Sequence, residues 1–456
     1  MILSQELTTS EQASWDEVAK IVEEEFFTTD DVFQQLVKRK DGTVKQGIEN
    51  YYTVFTKDPF LRGAIRRNEM TGRNDVCRNM GWKRGAGDSI DDDDLDNLCL
   101  YLETTYGLMN EKNMYKAINI IAAENSFHPI KEYLEGLKWD GKSRIAEFLP
   151  KYVGADECEY TYEATKLLLM AAISRVYTPG VKFDMMICLV GGQGIGKSSL
   201  FRLLAIRDEW FSDDLRRIDD ENIFRRLYGH WIIEMSEMIA TVNAKSIEEI
   251  KSFLSRQKET YKTPYDKFPK DRPRQCIFVG TTNNMDFLPM DRTGNRRFAP
   301  ILTHAERIEK HILEDEEESR AYIEQLWAEA MEIFRSGEFS LKFSQSIEEY
   351  LMELQENFMP EDTDIGLIRA WLEDTDEYQV CSLMLYHEAL NKEGEPKKYE
   401  IKEINRIMNE SIKGWKHSDK KTHRFNKYGT QKFWYREDKV DDDGFIKCDS
   451  TDLPFK

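Results

Sequence analysis

The residues with the clearest chemical capacity lie in the run GGQGIGKSSL, where Gly191, Gly196, Lys197 and Ser198 satisfy the spacing GxxxxGK[ST]. Glycines at this spacing let the backbone N–H groups of Gly191, Gly192, Gln193, Gly194, Ile195 and Gly196 converge on phosphate oxygens. The helix that starts at Lys197 and Ser198 and continues through Ser199 adds the positive end of its dipole. Lys197 is placed to neutralise β- and γ-phosphates, and the Ser198 hydroxyl to be a ligand of Mg²⁺, so ATP with Mg²⁺ is the bound pair this loop calls for. The plain alternative is a glycine-rich turn that merely joins a strand to a helix.

A phosphate loop cannot cleave a triphosphate unless other groups hold the metal and orient water. The segment WIIEMSEM is an apolar strand ending in acid. Glu234 takes the metal-side position beside Ser198, and Glu237 is assigned to polarising water. The two roles are exchangeable, because Met235 stands where an adjacent second acid is common. In QCIFVGTTNN another apolar strand ends in polar residues, and Asn283, with Asn284 as the alternative, can hydrogen-bond the γ-phosphate or the water. TGNRRF adds Arg296 and Arg297. A guanidinium supplied by a neighbouring subunit stabilises charge on a transferred phosphoryl group and implies a ring, whereas surface ion pairs are the ordinary use of such residues.

These groups need a sheet to bring them together. From Met185 to about residue 345 short apolar strands alternate with helices, the pattern of a parallel α/β sheet and of a P-loop NTPase core. The preceding region reads as helical. Ser14 and Glu17 form a capping box before Val18, Ile21, Val22 and Phe26. Asp91 to Asp94 cap a helix carrying Leu95, Leu98 and Leu102 that Gly107 stops. Met114, Ala117, Ile118 and Ile121 form an apolar stripe, Thr161 to Val176 a buried helix, and Ala321 to Arg335 another helix. Asp364 to Arg436 reads as helix, helix and a short aromatic strand pair, the order of a winged helix. The expected division is a helical scaffolding or oligomerisation region over 1–155, the ATPase over 156–345, the winged-helix-like module over 346–440 and an acidic tail over 441–456.

The chain has 456 residues, 40% hydrophobic and 32% charged, a composition suited to two or three soluble domains. No segment approaches the ~18 consecutive apolar residues of a membrane span. The start MILSQELTTSEQ lacks a secretory pattern, so retention in the cytoplasm, that of a bacterial host, is expected. Seven cysteines stand singly with no CxxC pair, which disfavours a disulfide framework and a zinc site. The net charge of −20 argues against a nucleic-acid binder until it is mapped. The acids gather in runs read as solvated helix ends, Asp91 to Asp94 and Glu314 to Glu318. Lys413 to Arg436 is basic apart from Asp419, and a second basic cluster holds Lys262, Lys267, Lys270, Arg272 and Arg274.

KFDMMICLVGGQGIGKSSL, WIIEMSEM, FLSRQKETYKTPYDKFPKDRPRQCIFVGTTNN and TGNRRF together resemble the virulence-associated protein E (VapE) family, with FHPIKEYLEGLKWDGKSRI upstream and QLWAEA downstream. The resemblance spans about residues 50 to 345. It implies a superfamily 3-like, AAA+-type helicase of a phage, plasmid or pathogenicity island: a hexameric ring that unwinds DNA to start replication. It also implies that Tyr261 to Arg274 forms a hairpin in the central channel, with Lys262, Lys267 and Lys270 on single-stranded DNA. Tyr261, Tyr265 and Phe268 interleave with these lysines and could stack on bases. Lys420, Lys421 and Arg424 of the C-terminal module are the candidates for origin duplex. Priming is assigned to a separate primase or replisome protein, because no metal-binding carboxylate pattern or zinc knuckle precedes residue 150. Two other classes remain: a P-loop switch acting as helicase loader or transposition helper, and a non-catalytic DNA-binding initiator.

Overall fold

The computed structural model describes residues 27–85, 87–215, 226–236, 244–262, 268–288, 295–360, 363–418 and 421–438. The Ser14/Glu17 capping box and the acidic tail lie outside them. The chain forms two compact units, Met1–Phe358 and Met359–Lys456. No helix among the described residues is long and apolar enough to cross a membrane.

The first unit opens with α1 (Thr29–Gln35) and α2 (Ile48–Lys57), followed by an antiparallel pair, β1 (Ile65–Arg67) and β2 (Asn74–Val76). Helices α3 (Asp92–Tyr106) and α4 (Glu111–Glu124) complete this part. The expected cap is present. Asp91 and Asp94 form a reciprocal capping box, and Gly107, at φ 67°, ends α3 in the left-handed conformation that glycine adopts without a Cβ clash. Leu98, Leu102, Met114, Ala117, Ile118 and Ile121 face a core that also takes Tyr51, Val54 and Phe55 of α2.

The acidic run at 91–94 is not wholly a solvated end, as its sequence suggested. Asp94 is fully buried and accepts hydrogen bonds from Trp82 Nε1 at 2.8 Å and Arg84 Nε at 2.9 Å. Burial alone would raise its carboxyl, but the bonds from Arg84, Trp82 and the Asp91 backbone outweigh it and hold the pKa below the ordinary carboxylate value.

Helices α5 (Pro129–Gly136) and α6 (Phe148–Val153) precede residue 155 yet belong to the next core. Ile130, Leu134, Phe148 and Leu149 share one apolar cluster with the helix α7 (Glu159–Tyr177) and the central sheet, whereas the N-terminal cluster ends at Ala122. Apart from Met70, which joins the later core, packing divides the chain near residue 125. At the other end α11 (Gln345–Glu356), expected to open the C-terminal module, instead closes the first unit. Its buried Gln355 donates to the carbonyls of Asn295 and Phe298, each at 2.7 Å.

Among the described residues the central sheet has five strands, all parallel: β3 (Met186–Val190), β4 (Phe211–Ser212), β5 (Ile232–Glu234), β8 (Ile277–Thr282) and β9 (Phe298–Leu302), in spatial order β4-β5-β8-β3-β9. Every residue of β3, β5 and β8 is buried, as expected of parallel strands covered on both faces. α7 covers the sheet with α8 (Lys197–Leu204) and α10 (Glu316–Ser336). Trp231, just before β5, stacks on Trp327 of α10 with ring centroids 4.4 Å apart. Its indole donates to Ala172 O at 3.0 Å and that of Trp327 to Leu204 O at 2.9 Å, so two buried N–H groups tie the helices to the sheet.

Between β5 and β8, after α9 (Ala244–Leu254), the strands β6 (Lys258–Tyr261) and β7 (Lys270–Pro273) pair antiparallel. The second unit contains α12 (Thr363–Asp374), β10 (Gln379–Val380), the short α13 (Ser382–Met384) leading into a π-helical turn, and α14 (Lys398–Glu410). Then come β11 (Trp415–His417), the hairpin β12 (His423–Phe425) with β13 (Gly429–Gln431), and β14 (Trp434–Arg436). β14 lies between β10 and β11, antiparallel to both.

Asp94→Ala should destabilise the protein by about 3 kcal/mol, because it leaves the largely buried Arg84 without its anion. A carboxylate with a depressed folded-state pKa stabilises above the unfolded value of about 3.9 and ceases to do so as pH falls through the folded value. Urea titrations should therefore show the gap between wild type and Asp94→Ala closing in acid. A gap that does not change between pH 7 and pH 3 would contradict the assignment.

Candidate functional site

The order of the sheet determines which side chains meet at its carboxyl edge. β8 lies between β3 and β5, so the residues after β8 stand between the glycine-rich loop and the acid of β5. The loop is tied to both flanking strands. Gly191 N–H donates to Thr282 O at 3.1 Å, and Val190 O accepts from the N–H of Thr303 at 2.8 Å and its hydroxyl at 3.0 Å. A Cβ at position 191 would lie 2.2 Å from Thr303 Oγ1, so only glycine fits. Gly196, at φ 90°, begins α8, and Ile195 is buried in the core beneath the loop.

Lys197 is 8% exposed, and its ammonium donates to Gly191 O and Asn283 Oδ1, each at 2.9 Å, and to Gly192 O at 2.5 Å. Burial lowers its pKa, and the Glu234 charge partly opposes that. Glu234 is 1% exposed. Its Oε1 accepts from Ser198 Oγ at 2.6 Å and from the hydroxyl of Thr281, while Oε2 is buried with no hydrogen-bond partner among the described residues. Burial raises the Glu234 pKa, Asp213 adds to the rise, and the bonds from Ser198 and Thr281 and the charge of Lys197 resist it.

This donor set fits a hard divalent cation: a buried carboxylate oxygen lacks a partner, and the other oxygen holds a serine hydroxyl. The cleft at this edge measures about 680 Å³ and is lined by Gln193 to Ser199, Ser236, Thr281 to Asn284, His311 and Leu313. Its size and polar floor suit a nucleotide.

Of the sequence candidates, Lys197, Ser198, Glu234 and Asn283 converge on one point. Between the two asparagines the structure places Asn283 on Lys197, while Asn284 bonds within its own turn, to Asp286. Glu237 lies outside the described residues. Thr281, Thr303, His311 and Leu313 were not singled out from sequence. Threonine at a strand end carries no distinctive signal, and the last two sit in a loop without periodicity.

Arg296 and Arg297 lie at the opposite, amino edge. Arg297 O accepts from Met186 N at 2.7 Å, which puts it level with the start of β3. A strand of five residues places that level roughly 16 Å from the loop, beyond the reach of either guanidinium toward the phosphate site of its own chain. The side chain of Arg297 is already committed, with Nε 3.1 Å from Asp184 Oδ2 and 3.2 Å from Ser255 Oγ. Arg296 is exposed.

The hairpin β6–β7 also leaves the amino edge. Arg274, grouped with the surface lysines by sequence, is 3% exposed and serves structure: its guanidinium bonds Glu259 Oε1 at 2.9 Å and Phe253 O at 2.6 Å. Arg272 lies over the rings of Tyr228 and Tyr261, with its Cζ 4.7 and 4.9 Å from their centroids. Lys262 and Lys270 are exposed, and Phe268 is 74% exposed, whereas Tyr265 and Lys267 fall outside the described residues. In the second unit Lys421 and Arg424 are exposed at the β12–β13 hairpin, and Lys420 falls outside the described residues.

A five-stranded parallel sheet with a glycine-rich loop after its second-from-edge strand β3 is compatible with a P-loop α/β core. Residues 134–360 match the model of the virulence-associated protein E-like domain. The chain belongs to the family that this domain defines. Solved structures with related backbones include the apo structure of the NrS-1 C terminal region and an A form apo structure of that region. Their TM-scores are 0.46 and 0.44, each at 15% identity over 82% of this chain and 95% and 96% of theirs. No curated protein matches the chain.

Ionised Glu234 opposes folding, because its folded-state pKa is raised: stability is highest below the unfolded value of about 4.3 and falls as pH rises through the folded value. Glu234→Gln keeps an acceptor for Ser198 and Thr281 but removes the charge. With Mg²⁺ chelated and nucleotide omitted, it should unfold a few degrees above wild type at pH 8, with a smaller gap at pH 5. A variant less stable than wild type at pH 8 would contradict the reading of this carboxylate as a strained metal ligand.

Proposed function

We propose that this chain is an ATP-dependent DNA helicase of a phage or other mobile element, acting as a ring at replication initiation. The observation that carries the reading is the convergence of Lys197, Ser198, Glu234 and Asn283, from three different strands' ends, at one carboxyl edge.

In this reading Lys197 exchanges the carbonyls of Gly191 and Gly192 for phosphate oxygens, and the loop N–H groups hold the rest of the phosphate chain. Ser198 and Glu234 hold Mg²⁺, which when bound neutralises charge on the phosphates. Breaking the Lys197 bond frees the Asn283 carboxamide to meet the γ-phosphate or the water, so its state follows the nucleotide. Glu237 polarises the water, with Glu234 as the alternative base. Arg296 is the finger presented to the site of the neighbouring subunit, since Arg297 is held by Asp184 and Ser255. Oligomerisation follows from that assignment, and a hexamer is the form the family resemblance implies.

The DNA path is assigned to the amino edge. Lys262, Lys267 and Lys270 track phosphates, and Phe268 offers an aromatic face to an unstacked base. In the second unit the order helix, strand, helix, helix, strand, hairpin, strand supports a winged-helix reading. Lys421 and Arg424 stand on or beside the wing for duplex DNA, and Lys420 is assigned to the same contact by sequence.

The test is strand displacement from a forked duplex. Wild type with Mg²⁺-ATP should unwind it, and Lys197→Ala should lose both turnover and unwinding by at least about 100-fold. Lys262→Ala with Lys270→Ala should keep basal turnover and lower the salt slope of single-strand binding by roughly 0.7 for each phosphate contact removed. DNA-stimulated turnover without displacement would instead identify a loader-type switch.

A further inference from the structure

We infer that His311 and Leu313 form the shelf that receives the nucleobase and gives the site its preference for a nucleoside triphosphate over a bare phosphate chain. The inference rests on the proposed nucleotide site and deepens it.

The sheet order gives the cleft a direction. The groups suited to metal and γ-phosphate, Glu234 at the end of β5 and Asn283 just after β8, lie on one side of the β3 loop. A triphosphate lying along the loop with its γ end there must send its nucleoside end toward the other flank, where the chain emerges from β9. That chain returns over the loop as a strap.

The strap is built to hold its place. Ile312 is fully buried in the main core, and a turn is closed by Glu314 N–H donating to His311 O at 2.9 Å. Pinning Ile312 inward turns its two neighbours out over the cleft, and both line it. The His311 ring is fixed at both nitrogens. Nδ1 accepts from Leu313 N–H at 3.2 Å, which leaves the proton on Nε2, 3.3 Å from Gly194 O. Gly196 must lack a side chain for this approach, since a Cβ would stand 3.0 Å from Ile312 and 3.1 Å from His311 Nε2.

Leu313 is 42% exposed, an apolar side chain lining the cleft. The surfaces offered at this end are the face of a clamped imidazole and an aliphatic side chain, which suit a flat heteroaromatic ring and offer nothing to a phosphate. The phosphates are held by the loop's backbone N–H groups and Lys197, so the two parts of the ligand are recognised by separate residues.

Equilibrium binding of Mg²⁺-ATP and of magnesium tripolyphosphate, measured by calorimetry, separates them. Wild type should bind ATP at least about tenfold more tightly, the scale of a well-packed apolar contact. Leu313→Asn, which removes the apolar contact without adding charge to the cleft, should reduce ATP affinity to near that of tripolyphosphate and leave tripolyphosphate unchanged, and Leu313→Met should retain ATP binding. Because Leu313 is exposed, these variants keep the fold, and unchanged tripolyphosphate affinity verifies it. Equal wild-type affinities for the two ligands, or a Leu313→Asn that weakens neither or both alike, would overturn the shelf and leave the phosphate site standing. Binding of neither ligand by wild type would overturn both readings.

Discussion

A carboxylate held out of water at the end of β5 sets the conditions for everything around it. Taking Glu234 from solvent costs several kcal/mol, and two hydroxyls on a single oxygen do not fully offset that cost, as its raised pKa records. The fold tolerates it because Trp231 and Ile232 just before it are buried in the main core, and Ile233 is buried as well. Ser198, Thr281 and Lys197 in turn are placed by the elements that surround that carboxylate. Under the proposed reading, a divalent cation would relieve this tension.

The two edges of the sheet divide the work. The carboxyl edge gathers the polar groups around the loop, and the amino edge carries the hairpin, Arg296 and the Arg297–Asp184 pair. β8 joins them by the shortest covalent route: it begins just after the hairpin, where Arg274 is clamped by Glu259 and Phe253, and ends at Thr281, Thr282 and Asn283. Six residues of extended chain, about 20 Å, separate a basic aromatic hairpin from the side chain that touches Lys197. Under the helicase reading, that strand is the rod between nucleotide and DNA.

Much of this was legible in the residues, and what was missed has definite causes. The phosphate loop, both polar-ended strands and the capped helix α3 carry signals local in sequence, and these elements stand where the spacing puts them. Burial of acids was not legible: Asp94 reads as one of four solvated aspartates because its partners Trp82 and Arg84 lie ten or more residues away. Arg274 likewise looks like surface charge until Glu259 is brought opposite it. Helices α5 and α6 were grouped with the N-terminal helices because apolar periodicity tells which face is buried but not against what. His311 and Leu313 matter only through the position of β9 beside β3, which no local pattern encodes.

The central claim is that Mg²⁺ and a triphosphate are held jointly by the loop and the Glu234 carboxylate. It is tested most directly by titrating ATP into wild type and Ser198→Ala, each with Mg²⁺ and with EDTA. The account predicts that Mg²⁺ tightens ATP binding to wild type by about tenfold or more and does little for Ser198→Ala, whose EDTA-state affinity stays close to that of wild type. Affinity for ATP that is the same in EDTA as in Mg²⁺, or no measurable binding by well-folded wild type, would contradict it.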